Sequence, residues 1–453
     1  MQEWERSVIS VFLRTPITFV LVFINTVVYA LASYRTLFLT ADTEWIEVFA
    51  FTPAKLLYIS EWYRIFTAMF MHANLFHILF NMYFLAFFGR DVEVRLNSFR
   101  YLILYLASGV LASAFHVGLI PLTGSIALVI PAVGASGAIS GVLGAYLMMF
   151  PKRSLSMCIL FPIPMCFKIY AGHFLMSWLA FQVVLGILSY GTGGGGVAFF
   201  AHVGGFLSGI LLTFLLLFSR RSQELKLPQG APVFVIVRKT GLSRSIKLAL
   251  LIVVAIVIGG AMYSMYIAES LSGVYVFEIE TQRGGLTERD KAIYSLSDNK
   301  VILPLADGPR VVFNRLLWAG VLVRENAPNS TITDIIFNNY IEVTEAGTYI
   351  AVWLSGRASY DEKSVLKSLE GDMITDVLLV RAGVVTGVEK NVYYRITAVS
   401  EDVADEVGAS AVRVCALIST TVSFIALIVS LAKDEDLAEE EIEYVYPIFP
   451  TSI

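Results

Sequence analysis

Charge is scarce in this chain. Asp, Glu, Lys and Arg make up only 15% of its 453 residues, against roughly a quarter in ordinary soluble domains, which argues against a fully soluble protein. Cysteine is scarcer still. Cys158, Cys166 and Cys415 cannot form a disulfide framework, and none stands at a metal-ligand spacing from histidine. Redox and zinc chemistry thus have no support, and neither metal nor cofactor is expected. Concentrated basic charge is also missing. The net charge of -4 is spread along the chain apart from an acidic end, Asp434 to Glu443, so nothing points to nucleic acid, and the tail reads as solvated and disordered. No small-residue cleavage site follows the first apolar run, which comes after a mixed leader (Glu3, Glu5, Arg6, Arg14). That run therefore reads as a retained helix, not a removable signal.

What is present in quantity is apolar surface, 57% of residues. Stretches near the length of about 20 residues that crosses a bilayer lie at 16 to 34, 70 to 88, 101 to 120, 170 to 190, 197 to 218, 246 to 267 and 411 to 432, with a shorter one at 136 to 150. The chain reads as a polytopic α-helical membrane protein with eight spans. Lys and Arg stay on the cytoplasmic side in short loops. Arg90, Arg95 and Arg100, then Lys152 and Arg153, then Arg220, Arg221 and Lys226 mark that side, whereas 121 to 135 and 191 to 196 hold neither residue. Both termini are then cytoplasmic, in a multi-pass protein of the cell membrane.

This topology divides the chain into a six-span core at 1-222, a cytoplasmic linker at 223-245, a seventh span at 246-268, an extracytoplasmic segment at 269-410, an eighth span at 411-432 and the acidic cytoplasmic tail at 433-453. Runs such as Tyr349 to Leu354 and Asn391 to Ile396, separated by Gly and Asn turns, predict a mainly β (mixed α/β) outer domain. A short charged helix is predicted from Asp361 to Glu370, stopped by Gly371. No catalytic constellation is evident there, and recruitment of substrate or partner is the hypothesis for it.

Strongly polar groups inside a bilayer are costly and mark functional sites by default. His77 and Asn81, four apart on the second span, share one helix face. Alone they read as interhelical hydrogen-bond partners. His72 sits at the entrance to that helix. A nucleophile candidate is Ser136 in Gly134-Ala135-Ser136-Gly137, where glycines permit a tight turn and a helix start offers free N-H groups to an oxyanion. From Ala135 to Pro151 about 16 helical positions span roughly 24 Å, against a hydrocarbon core of about 30 Å, so Ser136 lies below the outer surface. The base candidate is His202. Beside it, Ala201, Gly205 and Gly209 form a ridge that matches another of Gly137, Gly141 and Ala145, and two such ridges let helices approach closely. No carboxylate lies at that depth, so the chemistry would be that of a Ser-His dyad.

Residues 61 to 209 resemble the rhomboid proteases. The resemblance is carried by Glu61-Trp62-Tyr63-Arg64 with Thr67, by His72, His77 and Asn81 at H-x4-H-x3-N spacing, by Gly89 to Glu93 as G-x3-E, by the G-x-S-G at Gly134 to Gly137 and by A-H-x2-G-x3-G at Ala201 to Gly209. It implies a six-helix rhomboid core to which the last two spans and the outer domain are added. It implies an intramembrane serine endopeptidase that cuts single-span transmembrane proteins in the outer part of their helix. Ser136 would attack, His202 would relay the proton, and the Ser136 N-H, His77 and Asn81 would form the oxyanion site, with His72 in the same cavity. Trp62 and Arg64 would hold the outer loop. Two features depart from the family pattern. Ser140 stands where an aromatic ring usually supports the histidine, and Gly193 to Gly196 form an unusually glycine-rich loop, read as a flexible cap that opens with the fifth span around Trp178 and Phe181.

The alternative within this family is a catalytically weak or inactive rhomboid-like protein that binds and escorts membrane clients. Such relatives usually lack the serine or the histidine, and both are present. A transporter reading lacks an inverted repeat and a buried acid. His116 and His173 fit neither site.

Overall fold

A computed structural model describes residues 14–159, 165–189, 197–218, 234–239, 241–268, 273–296, 300–302, 316–317, 320–324, 326–342, 349–381, 384–402, 406–438 and 440–445. The leader before Arg14 and the Gly193 to Gly196 loop lie outside them. The chain divides into two compact units, one of residues 1–270 with 406–453 and one of 271–405.

The first unit is helical. Its long helices are α1 (Pro16–Ser33), α2 (Leu75–Leu96), α3 (Ser98–Gly118), α4 (Ser136–Met149), α5 (Ala171–Leu188), α6 (Phe199–Phe218), α7 (Arg244–Ile267) and α8 (Glu406–Ala432). By length and apolarity α1, α3, α5, α6, α7 and α8 could each cross a membrane, which makes this a multi-pass membrane protein. In α2 the polar His77 and Asn81 and the charged run Arg90 to Arg95 lower the hydropathy, and α4 is apolar but only 14 residues long.

Glu93 explains how α1 begins. The free N-H groups of a helix start attract a carboxylate, and Glu93 accepts from Ile17 N at 2.9 Å, Thr18 N at 2.8 Å and Thr18 Oγ1 at 2.7 Å while buried. One turn earlier, a Cβ on Gly89 would lie 2.4 Å from the Tyr101 hydroxyl. The G-x3-E pattern thus packs α2 against α1 and α3. The predicted loop holding Arg90 and Arg95 is instead helix. α2 runs on to Leu96, and the single residue Asn97, at φ 73, turns the chain and caps α3 by accepting from Arg100 N at 3.1 Å. Asparagine tolerates this left-handed geometry and supplies the cap itself.

Buried Arg64 ties down the segment before α2. It donates to Glu47 O at 2.6 Å and Ala50 O at 3.3 Å and pairs with Glu61, while Trp62 Nε1 donates to Leu56 O at 2.9 Å. Between α4 and α5 the chain forms an unforeseen hairpin of β1 (Ser154–Ile159) and β2 (Met165–Tyr170). Cys166 is disulfide-bonded, and its backbone stands opposite that of Cys158 in the ladder, so a disulfide is present although three cysteines make no framework. A further strand, β3 (Phe234–Lys239), precedes α7.

The second unit is an antiparallel sheet of β4 (Val274–Arg283), β5 (Leu286–Ser295), β6 (Lys300–Ile302), β7 (Thr331–Glu342), β8 (Tyr349–Tyr360), β9 (Leu366–Arg381) and β10 (Val384–Asp402), ordered β6-β5-β4-β10-β9-β8-β7. Alternating residues of one face, among them Phe277, Ile279, Leu354, Leu369, Met373 and Ile396, form its core. The helix predicted at Asp361 to Glu370 is not formed. Asp361 accepts from Lys363 N at 2.9 Å and Val365 N at 2.8 Å, a side-chain turn that sends the chain straight into β9. There Leu369 is paired on both sides, with Ala358 and Ala398. Two ladders outweigh the helical tendency of a charged run.

The acidic end is not a free tail. Asp434 is buried, accepts from Leu242 N at 2.7 Å just before α7 and pairs with Lys247 Nζ at 2.9 Å. Beyond it β11 (Glu440–Val445) pairs antiparallel with β3, setting Glu440 opposite Lys239 and Glu441 opposite Arg238. α8 packs tightly on the core, since a Cβ on Gly118 would lie 2.6 Å from Ala416 N.

Candidate active site

The approach to α4 requires glycine. Gly134 has φ +127, and a Cβ there would sit 2.7 Å from His77 Nε2, so both backbone geometry and space exclude a side chain. Its N-H donates to Ala68 O at 2.9 Å, and Ser136 then opens α4. From Ala138 to Met149 every residue of that helix is buried. The serine is the polar end of a fully enclosed helix.

α4 and α6 meet backbone to backbone. A Cβ on Gly205 would lie 2.0 Å from Gly137 O, one on Gly209 would lie 1.9 Å from Gly141 O, and one on Gly144 would lie 2.1 Å from Phe206 O. The two small-residue ridges therefore mesh, with Gly144 added to them. This closeness brings the first turns of both helices together, and Ser136 Oγ stands 2.7 Å from His202 Nε2.

Of the other residues singled out in the sequence, His77 faces Gly134 and Ser136 from α2, as the distances around Gly134 show. Its own N-H is held by Asn74 Oδ1 at 2.9 Å, the cap of α2. Asn81 is buried, and its Nδ2 donates to His77 O at 2.9 Å. One of its two N-H bonds is thus spent on its own helix and the second is left to aim elsewhere. His72 is buried edge-on to His77 with ring centroids 5.1 Å apart. Trp62 donates to Leu56 O, and Arg64 donates to Glu47 O and Ala50 O and pairs with Glu61, all in the segment between α1 and α2.

Two neighbours of His202 were not anticipated as such. Gln182 Oε1 lies 2.8 Å from His202 Nδ1. Trp178 lies with its ring centroid 6.1 Å from that of His202 at an interplanar angle of 32°, and it also meets Phe206 at 6.0 Å. Both stand on α5, four residues apart. The sequence does carry a signal for Gln182, since a primary amide is costly inside an apolar span. Ser140 is buried, and its Oγ donates to Ser136 O at 2.6 Å.

A Rhomboid domain matches residues 60–219. The rhomboid-named protein YdcA of Bacillus subtilis is 30% identical over 155 residues, which are 34% of this chain and 67% of that one. The chain belongs to the rhomboid family. RHOMBOID-like protein 1 of Arabidopsis thaliana is 34% identical over 166 residues, 35% of either chain. Rhomboid protease GluP of Bacillus subtilis is 36% identical over 112 residues, 24% of this chain and 20% of that one. This rhomboid chain spans about a third to a half of the length of the plant and yeast relatives it matches. The relatives include mitochondrial ones and one named inactive. The rhomboid region covers α2 to α6, and the second unit lies outside it.

Proposed function

We propose that this rhomboid is an intramembrane serine endopeptidase in which Ser136 is the nucleophile and His202 its general base. The observation that carries the reading is the 2.7 Å approach of His202 Nε2 to Ser136 Oγ at the start of α4. As Ser136 Oγ bonds to the scissile carbonyl carbon of a substrate segment, its proton passes to Nε2. The carbonyl oxygen becomes an oxyanion beside the Ser136 N-H, with His77 and the second N-H of Asn81 as further donors. Collapse breaks the C-N bond and the amine leaves with the proton from His202. Water, deprotonated by the same Nε2, then hydrolyses the acyl-enzyme.

The substrates are transmembrane segments of single-span proteins. A continuous helix hides its carbonyls in hydrogen bonds, so cleavage needs a stretch that opens easily in the outer part of the span. The distribution of Lys and Arg supports cytoplasmic termini and an outer location for residues 269-410 in a cell membrane, where that region recruits substrate or partner. The escort reading gains no support, because serine and histidine are both present and in hydrogen-bond contact. The test uses the full chain in proteoliposomes with a transmembrane reporter. Ser136→Ala and His202→Ala should each abolish cleavage and labelling by a serine-directed phosphonate, and unchanged cleavage in either would sink the assignment. In the same assay, equal rates from a chain lacking 269-410 would remove the recruiting role.

A further inference from the structure

Building on the dyad reading, we infer that Gln182 and Trp178 of α5 are the positioning residues of the base, selecting its tautomer and holding its ring in place of the aromatic residue missing at position 140. For His202 to take the serine proton, the lone pair must be on Nε2 and the proton on Nδ1. An amide oxygen can only accept. Gln182 Oε1, 2.8 Å from Nδ1, therefore binds the productive tautomer and leaves Nε2 open toward Ser136 Oγ at 2.7 Å.

Four-residue spacing sets Gln182 and Trp178 on one face of α5, so the acceptor and the indole reach the imidazole together. The helix is held close to α6: a Cβ on Gly186 would lie 2.9 Å from the Phe200 ring. Ser140 is buried, its short side chain lies on the Gly205 side of the seam, and its hydroxyl is spent on Ser136 O. The ring support for His202 comes instead from α5. A neutral acceptor also suits the depth. An ionised carboxylate would be costly to bury there, whereas an amide orients the ring at lower desolvation cost. His77 of α2 and His116 of α3 are the titratable groups that act electrostatically on His202, and neither lies between Gln182 and Nδ1 at hydrogen-bond distance.

The test measures kcat and KM of the full chain in proteoliposomes on a transmembrane reporter, across pH. Gln182→Leu keeps the volume but removes the acceptor, and kcat should fall on the order of tenfold, the worth of one net hydrogen bond, with KM changed less than about twofold. Phosphonate labelling of Ser136 should slow by the same factor. Gln182→Glu restores an acceptor and adds charge that stabilises the imidazolium. It should recover kcat at high pH and move the acid limb of the kcat profile to higher pH, by about one unit. Trp178→Phe should stay within about threefold of wild type and Trp178→Ala should lose about tenfold. Wild-type kcat in Gln182→Leu overturns the inference, and if the leucine variant fails to fold, wild-type kcat in Gln182→Met, whose thioether is at best a weak acceptor, overturns it instead. Ser136→Ala separates the two levels. If it still cleaves, the dyad reading fails; if it is inactive while both Gln182 variants match wild type, only the positioning role fails.

Discussion

The α4–α6 seam and the α5 side of the site are built by opposite means. Along the seam, glycine backbones touch: Gly205 against Gly137 O and Gly209 against Gly141 O leave no volume for a methyl group. Across from it, α5 reaches the base with two of its larger side chains, an indole and an extended amide. Backbone contact sets where Ser136 and His202 stand, because it fixes an interhelical distance that no rotamer can change. Side-chain contact sets how the base is turned. Changes on the seam should therefore act on stability and cleavage together, and changes at α5 should act on kcat with the fold intact.

The largest effect is expected at Gly209. Gly209→Leu places a branched side chain where a Cβ alone would be 1.9 Å from Gly141 O. The helices must separate, at a cost of about 3 kcal/mol or more. Cleavage should fall at least about a hundredfold, since a misplacement near 1 Å between reacting groups is worth that much. Thermal midpoint in detergent and reporter cleavage check it, and a stable, active Gly209→Leu would break the contrast between seam and α5. Gly134→Ala comes next. Its φ of +127 and the His77 ring at 2.7 Å predict a loss of about 1–3 kcal/mol and about a tenfold lower kcat through displacement of His77, read by the same two measurements.

These contrasts bear on what the amino-acid sequence could reveal. The G-x-S-G and A-H-x2-G-x3-G segments were legible because their chemistry and packing depend on local spacing: glycine at fixed intervals can mean only a close backbone or a special turn. Six long apolar helices were legible for a similar reason, since hydrocarbon thickness demands long apolar runs. Features decided by distant partners were not. The run Asp361 to Glu370 has helical composition, yet the ladders with β8 and β10 make it strand. The acidic end looked solvated until Asp434 met Leu242 N and Lys247, both nearly two hundred positions away. Gln182 belongs to the same class. Its amide is visible in the sequence, but its bond to His202 depends on how α5 lies against α6.

The smallest expected effects are at Ser140, where the contrast is sharpened. If ring support has truly passed to α5, the hydroxyl at 140 serves only its bond to Ser136 O at 2.6 Å. Ser140→Ala should then cost about 1 kcal/mol of stability and change kcat less than about twofold. Ser140→Phe supplies the aromatic side chain common in the family, yet it should not improve cleavage. Ser140 is buried, so the ring would have to displace packed neighbours, and such overpacking costs about 1–3 kcal/mol. Thermal midpoints and kcat of the two variants decide the matter. A faster Ser140→Phe enzyme would mean that His202 lacks support in the native chain and that Trp178 does not provide it. A slower one, beside an almost unchanged Ser140→Ala, would mean that position 140 belongs to the seam and that the base is held from α5.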